Sequence, residues 1–106
     1  MSRRDDPLIA GAKSAIKSAK NGSFKTQHNH IKEAKRFVQT LRELGYGVKK
    51  WRNISNKHVG AVVNQWKLEE LAPATIKEYL SGVRAVCRLY GNNCIHDKNN
   101  EFGVQN

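Results

Sequence analysis

Four segments of this 106-residue chain place their apolar residues at the 3.6-residue period of an α-helix, and no segment shows the alternation typical of a strand. The four segments cover residues 6–21, 23–44, 55–70 and 73–91. Proline near the start of the first and last segments, and glycine after their ends, are the usual boundary signals of helices. The pattern predicts an all-α fold, a bundle of four helices.

The apolar faces of these helices differ in strength. Helix one, residues 6–21, presents mostly alanine, so we expect it to dock weakly. After Gly91 the composition shifts to Asn, Asp and Gly, which predicts one domain over residues 1–91 and a flexible connector over 92–106. The inward positions of the other three helices are Ile31, Ala34, Phe37, Val38, Leu41 and Leu44, then Val59, Val62, Val63 and Trp66, then Ile76, Tyr79, Leu80, Val83, Val86, Cys87 and Tyr90.

The charge of the chain is strongly positive and is not confined to a tail. Nineteen Lys and Arg against nine Asp and Glu leave a formal charge of +10. The basic residues lie on the periodic segments, and three more, Lys49, Lys50 and Arg52, surround Trp51 in the loop 45–55. A folded binding surface for a polyanion is therefore favoured over a disordered basic arm.

The second and fourth helices carry the most informative basic faces. On a helical wheel, Lys25, His28, Asn29, Lys32 and Arg36 lie opposite the apolar face of the second helix. The fourth helix presents Lys77, Ser81, Arg84 and Arg88 at steps of four, three and four. Side chains on such helices can hold DNA phosphates and read base edges in the major groove. The acidic residues Glu33, Glu43 and Glu78 are interpreted as solvated positions that pair with nearby Lys or Arg.

Other classes of function lack a pattern in the sequence. No phosphate-binding loop, nucleophile elbow or His-Glu-x-x-His motif is present, so we predict no catalytic residue, cofactor or small-molecule ligand. Cys94 and His96 lack the ligand spacing of a zinc site, and Cys87 is interpreted as a small core residue, so no metal is expected. No apolar run is long enough to span a membrane. Trp51 and Trp66 are predicted to be core residues.

A resemblance to a known family rests on the stretch from Trp66 to Arg84. Its Trp66-Lys67 segment leads through a turn into Thr75-Ile76-Lys77, then Leu80-Ser81 and Arg84. This order resembles the N-terminal, SAM-like core-binding domain of tyrosine recombinases, the phage-type integrases, over about residues 24–106. The resemblance implies a SAM-like four-helix bundle that grips one face of duplex DNA. The catalytic residues of that family would then belong to a domain following Asn106.

The family also implies which side chains meet DNA. Ala72-Pro73 stands where the family often has a serine cap, so the resemblance does not extend to phosphate binding by that cap. Carried over by position onto the second and fourth helices, the expected DNA-binding residues are Lys25, Thr26, His28, Lys32 and Arg36, together with Thr75, Lys77, Ser81 and Arg84.

The predicted function is therefore sequence-preferring binding of double-stranded DNA, at an attachment-type recombination site, by a non-catalytic module of an integrase. Contacts to other proteins are expected through the full-length recombinase, and the expected location is the bacterial cytoplasm, on the nucleoid. The alternative is a small basic helical adaptor that binds an acidic protein and has no role on DNA. Attachment of helix one to a membrane surface is a weaker option, because its face holds alanine rather than large apolar residues.

Overall fold

The computed structural model describes residues 6–19 and 24–92 of the chain. This part of the chain contains helices and turns and no strand, which confirms the all-α prediction. A short 3-10 turn at Trp51–Asn53 precedes the third helix. The four α-helices are α1 at Pro7–Ala19, α2 at Phe24–Glu43, α3 at Asn56–Leu68 and α4 at Pro73–Leu89.

Local signals set the ends of these helices. The Asp6 carboxylate accepts a hydrogen bond from the backbone N–H of Leu8 at 3.0 Å and caps α1. At the start of α3, Ser55 and His58 form a reciprocal capping box. Gly45 and Gly91 follow α2 and α4 at φ values of 90° and 77°, a left-handed conformation that glycine adopts without strain.

The core lies where the inward faces of α2, α3 and α4 meet, and Trp66 and Phe37 are its largest fully buried side chains. The indole N–H of Trp66 donates to the Thr40 hydroxyl at 3.0 Å, and that hydroxyl donates to the Arg36 carbonyl at 3.1 Å. Leu44 differs from its predicted inward position and is 37% exposed, because α2 ends at Glu43 and the chain turns there.

Helix α1, which the sequence predicts to dock weakly, packs against the core. Its inward residues Leu8, Ala12 and Ile16 are buried in the core. Polar contacts add to this packing: the Trp51 indole N–H donates to the Leu8 carbonyl at 2.7 Å, and the Tyr90 hydroxyl donates to the Gly11 carbonyl at 2.8 Å. Gly11 lies at this contact, where an added Cβ atom would be 3.0 Å from the Tyr90 hydroxyl oxygen.

The first residue of the predicted connector, Asn92, packs against the helical bundle. Asn92, placed by the sequence at the start of the connector, is buried, and its amide N–H groups donate to the carbonyls of Trp51 at 2.9 Å and Ile54 at 2.8 Å. Asn92 therefore closes the loop that precedes α3. The rest of the predicted connector, residues 93–106, and the last predicted residues of helix one, 20 and 21, lie outside the described residues.

Asn92→Ala should lower the free energy of unfolding by about 1–3 kcal/mol, because the carbonyl of Ile54 loses its amide donor and the carbonyl of Trp51 keeps only the N–H of Ile54. Urea unfolding of both proteins measures the change. The matched control is Asn64→Ala on the exposed face of α3, which should change stability by less than about 0.5 kcal/mol. Equal stability of the two variants would show that Asn92 does not hold the loop.

Stability should also depend on pH through Asp6. Arg42 donates to both carboxylate oxygens of Asp6, at 2.6 and 2.8 Å, and this hydrogen bonding holds the pKa of Asp6 below its ordinary value of 3.8. The lowered folded-state pKa gives a contribution to stability that is complete above that ordinary value and is lost as the pH falls through the folded-state value.

We therefore expect wild-type stability, measured by urea unfolding between about pH 6 and about pH 2, to fall more steeply below the ordinary aspartate pKa than the stability of Asp6→Asn. Asn keeps the size of the side chain and cannot titrate. Parallel pH profiles for the two proteins would show that the Asp6–Arg42 pair does not link protonation to folding.

Candidate nucleic-acid interface

The two helices predicted to meet DNA cross each other at a point of very close contact. Gly82 of α4 is buried against α2, and a Cβ atom at this position would lie 2.5 Å from the Cβ of Glu33 and 3.1 Å from the carbonyl oxygen of His30. Only glycine allows the backbone of α4 to come this near. The exposed faces of α2 and α4 are therefore held in a fixed relation to each other.

A shallow groove of about 290 Å³ lies beside this crossing. We call it the polar groove. It brings together Lys32 of α2 and Thr75 of α4, two residues predicted from sequence to bind DNA. The lining residues, in chain order, are Asn29, Lys32, Glu33, Thr75, Glu78 and Tyr79.

The remaining predicted residues of α2 fall into two groups. Lys25 and His28 are exposed, and Lys25 lies two turns before Lys32 on nearly the same line of the helix. Thr26 is exposed as well, but it lines a different depression, with His30 of α2 and the end of α4. Lys25 and His28 thus continue the exposed face of Lys32, and Thr26 does not line the polar groove.

Arg36 is held by a partner that the sequence interpretation did not identify. Its guanidinium donates to the Glu69 carboxylate at 2.7 Å. Glu69 lies at the end of α3, so this ion pair joins α2 to the turn that precedes α4. Both side chains remain about one-third exposed, at 35% and 30%. Arg36 can reach a phosphate only by sharing or breaking this ion pair, so its predicted role on DNA competes with a structural one.

On α4, Thr75 stands apart from the other three predicted residues. Thr75 lines the polar groove, whereas Lys77, Ser81 and Arg84 follow each other along another edge of the helix. At about 100° per residue this edge is turned away from the crossing at Gly82. Ser81 is exposed, and Lys77 and Arg84 are half-buried.

One of the two acidic residues in the groove, Glu33, differs from the sequence interpretation, whereas Glu78 is exposed as expected. Glu33 was expected to be solvated, but its side chain is only 15% exposed and lies 3.2 Å from His30 Nδ1. Burial raises the pKa of Glu33, the hydrogen bond and charge of His30 oppose that rise, and the nearby charge of Glu78 adds to it. Gly82, a glycine inside the helical pattern of α4, is the sequence feature that could have indicated this close packing.

Features assigned to the core by sequence are confirmed. Trp51, Trp66 and Cys87 are buried.

Among residues 6–19 and 24–92, no group of three or more His, Cys, Asp and Glu side chains is arranged to hold a metal ion. Cys94 and His96 lie outside these ranges. No helix in the same ranges is both long enough and apolar enough to cross a bilayer.

Comparison with known proteins decides the family. The family model described as "Phage integrase, N-terminal" matches residues 8–95, which include the four helices except for Pro7, the first residue of α1. The chain belongs to this phage integrase N-terminal family. The match confirms the resemblance drawn from the stretch 66–84, and it extends that resemblance to α1. No curated protein and no solved structure matches the chain.

Membership of the integrase family concerns an N-terminal, non-catalytic domain, and the matched residues include no part of a catalytic domain. At the start of α4 the integrase domain lacks the serine cap that the family often has. Ala72 occupies the N-cap position of α4 with Pro73 after it, and no side chain makes the capping hydrogen bond.

The close crossing predicts opposite effects of alanine at two helical glycines. Gly82→Ala should destabilise the domain by about 1–3 kcal/mol, because the added methyl group overlaps the side chain of Glu33. Gly60→Ala on α3 is the control, since nothing lies within 4 Å of the added atom, and it should stabilise the domain by about 0.4–1 kcal/mol. Thermal unfolding measures both, and a stabilising Gly82→Ala would contradict the crossing.

Proposed function

We propose that this integrase domain binds double-stranded DNA, with the exposed face of α2 and the start of α4 directed at the major groove. The observation that carries the proposal is the polar groove, in which Lys32 and Asn29 of α2 lie beside Thr75 of α4. Lys25 and Lys32 are separated along α2 by about 10 Å, at 1.5 Å per residue. That spacing is comparable with the roughly 12 Å width of the major groove.

The distribution of charge supports separate tasks for the groove and for its surroundings. Glu33 and Glu78 would repel a phosphate brought into the polar groove. Base edges suit the groove better, because an asparagine amide can pair with adenine, a carboxylate can accept from the cytosine amino group, and threonine can contact either. We assign base contacts to Asn29, Thr75 and Glu78.

The lysines and arginines of the two helices are suited to phosphates. Lys25 and Lys32 project from the exposed face of α2. Lys77 and Arg84 lie on the edge of α4 that is turned away from the crossing, with Ser81 between them as a neutral donor. Contacts of this kind fix the position of a protein on DNA without reading its sequence.

The finer parts of the proposal follow from the family. The duplex would be an attachment-type recombination site, and the domain would act in DNA integration as part of a full-length tyrosine recombinase. A catalytic domain of that recombinase would break and join the strands, so the chemistry would not involve the residues described here. The bacterial nucleoid would be the place of action.

Binding to a labelled duplex, followed by fluorescence anisotropy at several salt concentrations, tests the proposal. The affinity should fall with salt at a slope of about 0.9 log units per log unit of salt for each phosphate neutralised. Lys32→Ala should lower this slope by about one unit and weaken binding to all duplexes alike, whereas Lys57→Ala, an exposed lysine on α3, should have little effect.

Asn29→Ala addresses the assignment of base contacts. It should reduce the preference between a selected duplex and a scrambled one by roughly tenfold while leaving the salt slope unchanged. A protein that does not bind duplexes, or that binds them with no dependence on salt, would contradict the proposal. If the domain does not bind duplexes but is retained on an immobilised acidic protein, the alternative function is favoured, that of a small helical adaptor for an acidic partner.

A further inference from the structure

A second basic surface lies away from the polar groove, at a cleft of about 200 Å³ between α1, the 3-10 turn and the end of α4. We call it the basic cleft. Lys49, Lys50 and Arg52 contribute its charges, and all three side chains are exposed. Pro7, Gly11, Trp51 and Tyr90 form its remaining walls.

Trp51 anchors the charged residues of the cleft. Its ring is buried, its indole N–H donates to the Leu8 carbonyl at 2.7 Å, and its carbonyl accepts from Asn92 at 2.9 Å. Lys50 and Arg52 are its immediate neighbours in the chain, so their backbone positions are set by the core. Two cations carried on a fixed backbone lose less backbone entropy on binding than those of a mobile arm do.

The cations of the cleft face no carboxylate partner within the described residues. No ion pair or side-chain hydrogen bond involves Lys49, Lys50 or Arg52 in this part of the chain. The acidic residue next to Pro7, Asp6, is held by two hydrogen bonds from Arg42. The cleft therefore combines three positive charges with no neutralising acid, and an anion is the matching ligand.

The cleft is separate from the polar groove. The two depressions share no lining residue. Thr75 lines the groove and Tyr90 lines the cleft, and these residues are about 22 Å apart along α4 at 1.5 Å per residue. One turn of B-DNA is about 34–36 Å long, so the separation of the two places along α4 is shorter than one turn of a duplex.

We propose that the basic cleft binds a backbone phosphate of the same DNA duplex, within one helical turn of the bases that face the polar groove. This inference rests on the proposed function. The ligand is the phosphodiester group, because lysine and arginine donate to phosphate oxygens, and arginine does so with two parallel bonds. Backbone binding here is independent of base sequence and lengthens the contact that the domain makes along the DNA.

The test compares wild-type protein with Lys50→Gln/Arg52→Gln, which removes two charges and keeps the aliphatic parts of both side chains. The probes are a selected and a scrambled duplex, each with randomly ethylated phosphates. In the double variant, one or two interfering phosphates should disappear from the outer part of the footprint. The salt slope should fall by about one unit per phosphate, with the affinity for both duplexes reduced by the same factor.

Two measurements control the result. Thermal unfolding should be the same for the wild type and the double variant, since neither altered side chain makes a hydrogen bond or ion pair in the described residues. Lys57→Gln removes one exposed charge outside the cleft and should preserve every interfering phosphate. Loss of the same phosphates in Lys57→Gln would overturn the inference, because the effect would then come from net charge.

The remaining outcomes separate the inference from the proposed function. If the wild type binds duplexes and Lys32→Ala weakens it, but the double variant keeps the full salt slope and footprint, the cleft is not a phosphate site and the proposed function stands. If the wild type binds no duplex, the proposed function fails and the inference fails with it.

Discussion

The close crossing of α2 and α4 is the constraint on which the candidate interface depends. Gly82 removes the side chain that would hold the helices apart, so Glu33 and His30 pack directly against the backbone of α4. This contact places Lys32 beside Thr75 and sets the polar groove between two helices that are distant in sequence. Any residue larger than glycine at this position would separate the faces proposed to act together on DNA.

Trp51 has a comparable role on the other side of the molecule. Its ring stacks on Phe37 with centroids 5.9 Å apart, its indole donates to α1, and its carbonyl accepts from Asn92. One buried residue therefore joins α1, the loop before α3 and the end of the described chain. The same residue gives Lys50 and Arg52 their fixed positions at the surface, so core packing and surface charge are linked in this loop.

Most of the fold was predictable from sequence because helical periodicity is a local property. The bounds of α2, α3 and α4 agree with their predictions to within about two residues, a normal uncertainty for helix ends. The hydrogen bonds that α1 accepts from Trp51 and Tyr90 were not predictable, because these two residues are distant from α1 in sequence. The position of Asn92 depends on equally distant carbonyls.

The candidate site was less predictable than the fold, for a related reason. A helical wheel identifies which residues face away from the core, and it identified Lys25, His28 and Lys32 correctly as exposed. It gives no information on what a neighbouring helix brings to the same surface. The ion pair of Arg36 with Glu69 and the burial of Glu33 at Gly82 both arise from such neighbours.

The most direct test of the central claim is a map of backbone amide NMR shifts as duplex DNA is added to the protein. The largest shift changes should fall on the amides of the first half of α2 and the start of α4, around Asn29, Lys32 and Thr75. Changes confined to α3, or an unchanged spectrum at saturating DNA, would contradict it.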